Sequence, residues 1–386
     1  MKLEGIKVID MSCFLPGPQL TTFMSDHGAD VIRIENVNGG EPNRIIGPKR
    51  DDTTVYFAAT HRGKKSLALN LKDPDAVEAV MRLAEQSDVF VEAFRPGVVK
   101  RLGVSYEDIK KRAPHIVYVS ISAFGQDGPY VQKPAHDMAT EAYCGVLSLN
   151  LGQDGKPWNP AIPAADMLGS MIALSGVLMA LYRRQTTGKG DYLDIAMMDS
   201  VFASIPNQLG TTFANKQPPD IRNERTGGGY AMYRPYETKE GAWIVLGAAE
   251  IHFAINLLNE LGRPDLIDLC RLPPGTGQYP VQRYFEETFK TKTKAEWVTW
   301  FEGKDISFAP VNNLREGCDD PQVRHREMIV EDERGWEYLG IPIKFADEPG
   351  SIDFAVPGLG EHSEEILRSV GLSDDTLERM KQAGVY

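Results

Sequence analysis

Short β-branched runs alternate with amphipathic stretches through the first third of the chain: KVIDMS, QLTTFMSDHG, ADVIRIE, DAVEAVMRLAEQS, DVFVEAF and HIVYVSISAFG. Strands of period two separated by helices of period 3.6 predict βαβ units and a mostly parallel, Rossmann-like sheet. After the first strand the chain reads CFLPGPQLT instead of GxGxxG, which argues against a nicotinamide or flavin cofactor. The run MLGSMIALSGVLMALY stops at Arg183, short of the roughly 20 apolar residues of a spanning helix, and reads as a buried core helix. Gly188 and Gly190 then supply a helix stop and a turn before another strand and helix.

The pattern changes at residues 214–229, ANKQPPDIRNERTGGG, whose Gly, Pro and polar content predicts a linker. It separates a large domain, residues 1–213, from a smaller α+β domain, residues 230–321. In the latter a hairpin turns at Lys239-Glu240-Gly241, and IHFAINLLNELGRPDL and KAEWVTWFEGK read as helices. The length of 386 residues agrees with two domains, and 42% apolar with 25% charged residues is an ordinary globular mixture. A net charge of −12 argues against broad nucleic-acid binding, leaving room only for a local basic pocket. The opening MKLEGIKVIDMS has neither an h-region nor a cleavage site, so no export is expected. Cys13, Cys144, Cys270 and Cys318 form no CxxC pair, so neither a metal site nor a disulfide framework is expected, and reduced cytoplasmic thiols fit.

Three side chains could carry proton or acyl chemistry. His136 precedes Asp137 just after a proline, Asp166 opens the apolar helix, and Glu250 ends an apolar strand. Each has an ordinary reading as well: a surface pair for His136 and Asp137, a helix cap for Asp166, a cap or solvated acid for Glu250. A second set is basic: Lys64, Lys65 and Lys72 in HRGKKSLALNLK, with Arg95, Lys100 and Arg101 in EAFRPGVVKRLG. They flank predicted strands, where such folds bind ligands, and together suggest phosphate recognition. Taken singly, Lys64 and Lys100 read as a solvated charged face. Met197, Met198 and Met232 read mainly as core.

These stretches together resemble the family III CoA-transferase and α-methylacyl-CoA racemase superfamily (CaiB/BaiF-like). The matching segments are LPGPQLTTFMSDHGADVIRIE, HRGKKSLALNLK, EAFRPGVVKRLGV, ISAFGQDGPY, RRQTTGKGDYLDIAMMD and FAPVNNL, spread through nearly the whole chain. The resemblance implies an interlaced homodimer whose Rossmann-like large domain is completed by residues 322–386. It also implies coenzyme A arriving as part of an acyl-CoA substrate; no permanently bound cofactor is expected, nor, from the charge and the lack of a spanning run, a nucleic-acid or membrane partner. Leu69, Lys72, Arg95, Arg101 and Leu102 match the family's CoA-contacting loops, whereas Asn36 stands where many relatives have a basic residue.

Asp166 matches the key aspartate of both chemistries the superfamily runs. In the transferases it is a nucleophile that passes CoA to a free acid through an anhydride and a thioester. In the racemases it is a base, opposed across the α-carbon by a histidine that a glutamate supports. His136 and Glu250 resemble the racemase set, while GGEPNRIIGP and QDGPYVQKPAHD resemble transferase stretches and IPAADM replaces a racemase-like NLxxDF. The expectation is a racemase or epimerase using Asp166, His136 and Glu250, with a CoA-transferase as the alternative.

Overall fold

A computed structural model describes residues 1–152 and 154–386. The chain divides into two compact units, residues 1–205 with 324–386 and residues 206–323. In the first unit six strands form the central sheet: β1 (Lys7–Asp10), β2 (Asp30–Glu35), β3 (Lys65–Ala68), β4 (Val89–Glu92), β5 (Val117–Ser122) and β6 (Tyr192–Ala196). All neighbours pair in parallel in the order β3-β2-β1-β4-β5-β6. This is the doubly wound arrangement, whose order reverses between β1 and β4. Alternation along the strands builds a core on each face: Phe90 and Tyr118 join one, Val89, Val91, Val117 and Val119 the other. The C-terminal helices Ser363–Ser369 and Asp374–Gln382 bury Ile366, Leu367, Leu377 and Met380 in the first core, so the chain's end packs beside its beginning.

Gly188 ends the long helix Ala164–Thr187 with φ of 67°, the left-handed cap that glycine favours. Gly190 serves another purpose: a Cβ there would sit 1.8 Å from the Ile116 carbonyl, so only glycine lets the chain enter β6 beside β5. The 24-residue helix is long and apolar enough to cross a membrane by length and composition. It departs from the expected buried core helix. Ala165, Gly169, Ala173, Leu174, Val177 and Leu181 pack inward, whereas Met179 and Tyr182 are 70% and 77% exposed. An apolar stretch without charged positions looks buried all round, but within one chain only one face finds a partner.

The second unit holds an antiparallel sheet of three strands, β7 (Tyr233–Glu237), β8 (Trp243–Gly247) and β9 (Phe308–Pro310), with β8 central. The β7–β8 hairpin turns through residues 238–242, Thr238 donating its N–H to the Ala242 carbonyl. Helices Ile251–Glu260, Tyr279–Phe289 and Lys294–Phe301 enclose its core of Tyr236, Leu246, Phe285, Phe289 and Trp297. Residues 214–229, expected as a linker, lie inside this unit and contain two 3₁₀ turns, Ile221–Asn223 and Arg225–Gly227.

Candidate active site

A cavity of about 590 Å³ opens in the first unit, at the point where the strand order reverses. Cys13 and Phe14 enter it from the loop after β1, Ala93 to Pro96 from the loop after β4, and Ser122 to Gly125 from the end of β5 and beyond. Residues of the segment 131–139, with Asp166 and Met197, complete the wall. Loops diverging from the carboxyl ends of β1 and β4 leave such a crevice by topology alone. Its lining is mainly apolar, with Arg95, Lys133, His136 and Asp166 as the charged or titratable exceptions among basic and acidic side chains.

Asp166 occupies the first turn of helix Ala164–Thr187, where unpaired amides would ordinarily favour its negative charge. Those amides are already taken. Asp137 accepts the Asp166 backbone N–H at 3.0 Å, and the buried Glu141 accepts that of Ala164 at 3.1 Å. Both acids project from the preceding helix, Asp137–Cys144, so the capping expected of Asp166 is performed by two other carboxylates. Asp166 keeps no hydrogen bond to its own carboxylate among the described residues. Burial, with the charges of Asp137 and Glu141 behind it, pushes its carboxyl up to about 7. A carboxylate so placed is poised to exchange protons near neutral pH.

His136 is the N-cap residue of helix Asp137–Cys144 and is exposed at the cavity wall. The Phe14 ring meets its imidazole edge-to-face, with centroids 5.5 Å apart and planes at 90°. The neighbours His136 and Asp137 therefore divide their work, one facing the cavity and the other holding the helix that carries Asp166. Glu250 heads helix Ile251–Glu260 in the second unit, exposed at the N-cap position. Met197 lines the cavity, and Met232 belongs to the second unit's core.

A second cavity, about 310 Å³, lies beside the ends of β1, β2 and β3 and shares Cys13 and Phe94 with the first. Leu69, Lys72 and Leu102 line it, as does Asn36. Arg95 lines the larger cavity, and Arg101, at the exposed end of helix Val98–Arg101, lines neither. Lys100 is exposed and Lys65 pairs with Asp30 at 3.0 Å.

Lys64 departs from the expected solvated face. It is 4% exposed and donates to Thr21 Oγ1 at 2.7 Å and the Pro18 carbonyl at 2.9 Å, with Asp10 at 3.3 Å. Burial pulls its ammonium down to about 8 although Asp10 opposes the change. Burial works to raise the Asp10 carboxyl, but Arg33 and Lys64 outweigh it and hold it far below the usual carboxylate range. Arg33 also pairs with Glu41. This buried network stands directly beneath the loop after β1, and sequence reasoning missed it. Its one visible signal was charge inside apolar strands, as in the Asp10 of KVID and the Arg33 of DVIRIE.

Residues 3–363 match the family model described as CoA-transferase family III. The chain is similar to succinyl-CoA:glutarate CoA-transferase of Mus musculus, 31% identical over 395 residues covering 99% of this chain and 90% of that protein. It is also similar to alpha-methylacyl-CoA racemase of Homo sapiens, 30% identical over 391 residues, 98% of this chain and 96% of that one. Among solved structures, a CaiB/BaiF family protein from Brucella suis superposes with a TM-score of 0.84 at 26% identity, covering 95% of this chain and 99% of that chain.

Proposed function

This chain belongs to CoA-transferase family III, and we propose that within it the protein is a 2-acyl-CoA racemase or epimerase that exchanges the α-proton of a CoA thioester. The observation that carries this reading is the placement of Asp166 and His136 on the wall of one cavity, with Asp166 raised to about 7 by burial and two acidic neighbours. A thioester carbonyl acidifies its α-proton, so a base near neutrality can remove it and leave an enolate. One base takes the proton from one face of the α-carbon while the other returns a proton to the opposite face. Glu250 is assigned to the same proton chemistry, on its resemblance to the racemase glutamate. Entry of solvent deuterium at the α-carbon, without any free acid present, tests the reading.

A second reading is favoured by the transferase names among the relatives. Asp166 would then attack the thioester carbonyl, forming a mixed anhydride and releasing CoA as its thiolate. The thiolate attacks the aspartyl carbonyl and frees the donor acid. The acceptor carboxylate attacks the resulting aspartyl-CoA thioester, giving a second anhydride whose acyl group the thiolate takes up as Asp166 is regenerated. The unbonded Asp166 carboxylate supports this chemistry as well, but it leaves His136 without a task.

For coenzyme A we assign Leu69, Lys72 and Leu102 at the smaller cavity and Arg95 at the larger, with Arg101 near them in sequence. Lys72→Ala is expected to weaken acyl-CoA binding by ~1.5–3 kcal/mol, the range of a charge-assisted hydrogen bond, with much less change in turnover at saturation. Equal weakening for the free acid lacking CoA, read by calorimetry, would reject that assignment.

The homodimer is proposed as well, with the exposed apolar face that carries Met179 and Tyr182 as a surface a second copy would cover. Sedimentation at micromolar concentration is expected to show dimer without monomer, and an active monomer would reject the assembly. A cytoplasmic setting completes the proposal, supported by four free thiols. Accumulation of the intact protein in an exported fraction would reject it.

A further inference from the structure

Phe14 adopts φ of 63°, a left-handed conformation that a bulky side chain rarely holds unless its surroundings over-determine it. The surroundings are specific. Its N–H donates to Glu41 Oε1 at 2.8 Å, and its carbonyl accepts from Asn43 Nδ2 at 2.6 Å. Both partners come from one turn, 27 and 29 residues downstream, and are 1% and 0% exposed. That turn is itself fixed to the end of β2. Glu35 accepts the Glu41 N–H at 2.9 Å and pairs with Arg44 at 2.7 Å, while Arg33 holds the Glu41 carboxylate.

The captured residue is the one whose ring stands edge-to-face with His136. Within the first unit, no hydrogen bond among the described residues holds that exposed imidazole. We propose that Glu41 and Asn43 are positioning residues for proton transfer at His136, acting through the clamped left-handed Phe14 and its ring. This rests on the reading of His136 as one of the two bases. The EPNR stretch, otherwise without a role in the chemistry, becomes the bracket that aims one base at the α-carbon. Release of the bracket lets Phe14 relax to an ordinary backbone conformation, its ring leaves, and the imidazole loses its stop. A displacement on the order of 1 Å at a reacting group costs as much as about 100-fold in rate.

The test reads the two faces of the α-carbon separately. Deuterium exchange is measured from each enantiomer of whichever 2-methylacyl-CoA the wild-type protein exchanges fastest, and His136→Ala identifies the enantiomer that depends on the imidazole. Asn43→Ala and Phe14→Gly are expected to slow exchange of that enantiomer by about 10- to 100-fold. The opposite enantiomer, served by Asp166, is expected to change less than about threefold, and Phe14→Tyr, which keeps the ring, to recover most of the exchange that Phe14→Gly loses. Glu41→Ala would also strand the buried Arg33, so the other two variants carry the test. An unfolded fraction lowers both enantiomers equally, so the asymmetry reports position rather than stability. Equal slowing of both enantiomers, or no slowing of either, overturns the inference while leaving the two-base reading intact. If His136→Ala itself leaves exchange two-sided, the base reading fails and takes the inference with it.

Discussion

His136→Ala is expected to lower racemisation by about 100- to 10,000-fold, the usual contribution of a positioned acid or base. The loss falls on both directions of the reaction, because one direction loses the base that starts it and the other the acid that completes it. Proton exchange does not need both groups. On the proposed two-base reading, Asp166 is still expected to remove the α-proton of its own enantiomer, exchange it with solvent and return deuterium to the same face. The variant is therefore expected to wash deuterium into one enantiomer with retention of configuration while the opposite enantiomer stays unlabelled. Chiral separation of the thioesters followed by mass spectrometry checks this. Undiminished racemisation in the variant would remove His136 from the chemistry.

Asp166 gives the second large effect, through pH. Its carboxyl is raised to about 7, first by burial and then by Asp137 and Glu141. As the proposed base it must be ionised, so α-proton exchange with solvent for the enantiomer it deprotonates is expected to rise with pH up to about 7. Asp137→Asn keeps an acceptor for the Asp166 N–H but removes the negative neighbour, and the rise should move to lower pH. Asp166→Asn removes base and acid together, with a loss of about 100- to 10,000-fold in each direction. Profiles that bend only in the ordinary aspartate range, or ignore Asp137→Asn, would contradict this environment for Asp166.

The strands of the first unit were readable because buried parallel strands leave short β-branched runs, such as VFVE and VYVSIS, between periodic helices. The missing GxGxxG was equally readable, and in its place the loop after β1 carries Phe14 into the cavity. Contacts between distant residues were not. Nothing in PAHDMATEAYCG shows that Asp137 and Glu141 cap a helix more than 20 residues later, because a cap across two helices leaves no local spacing. Lys64 looked solvated since its partners, Asp10, Pro18 and Thr21, come from another βα unit. The Gly- and Pro-rich 214–229 segment misled through composition, for the same residues that loosen a chain also allow close turns. A Cβ on Gly229 would sit 2.6 Å from the Asn223 carbonyl.

The central claim is that the cavity moves a proton and leaves the thioester bond intact. Wild-type protein is placed in D₂O with one enantiomer of a 2-methylacyl-CoA, first alone and then with an excess of free carboxylic acid, and the thioesters are analysed by NMR and mass spectrometry. The expected result is one deuterium at the α-carbon and loss of optical purity at the same rate in both mixtures, with CoA remaining on its original acyl group. An α-carbon without deuterium, CoA transferred to the added acid, and an Asp166 adduct released by hydroxylamine would contradict the claim and establish the transferase chemistry in its place.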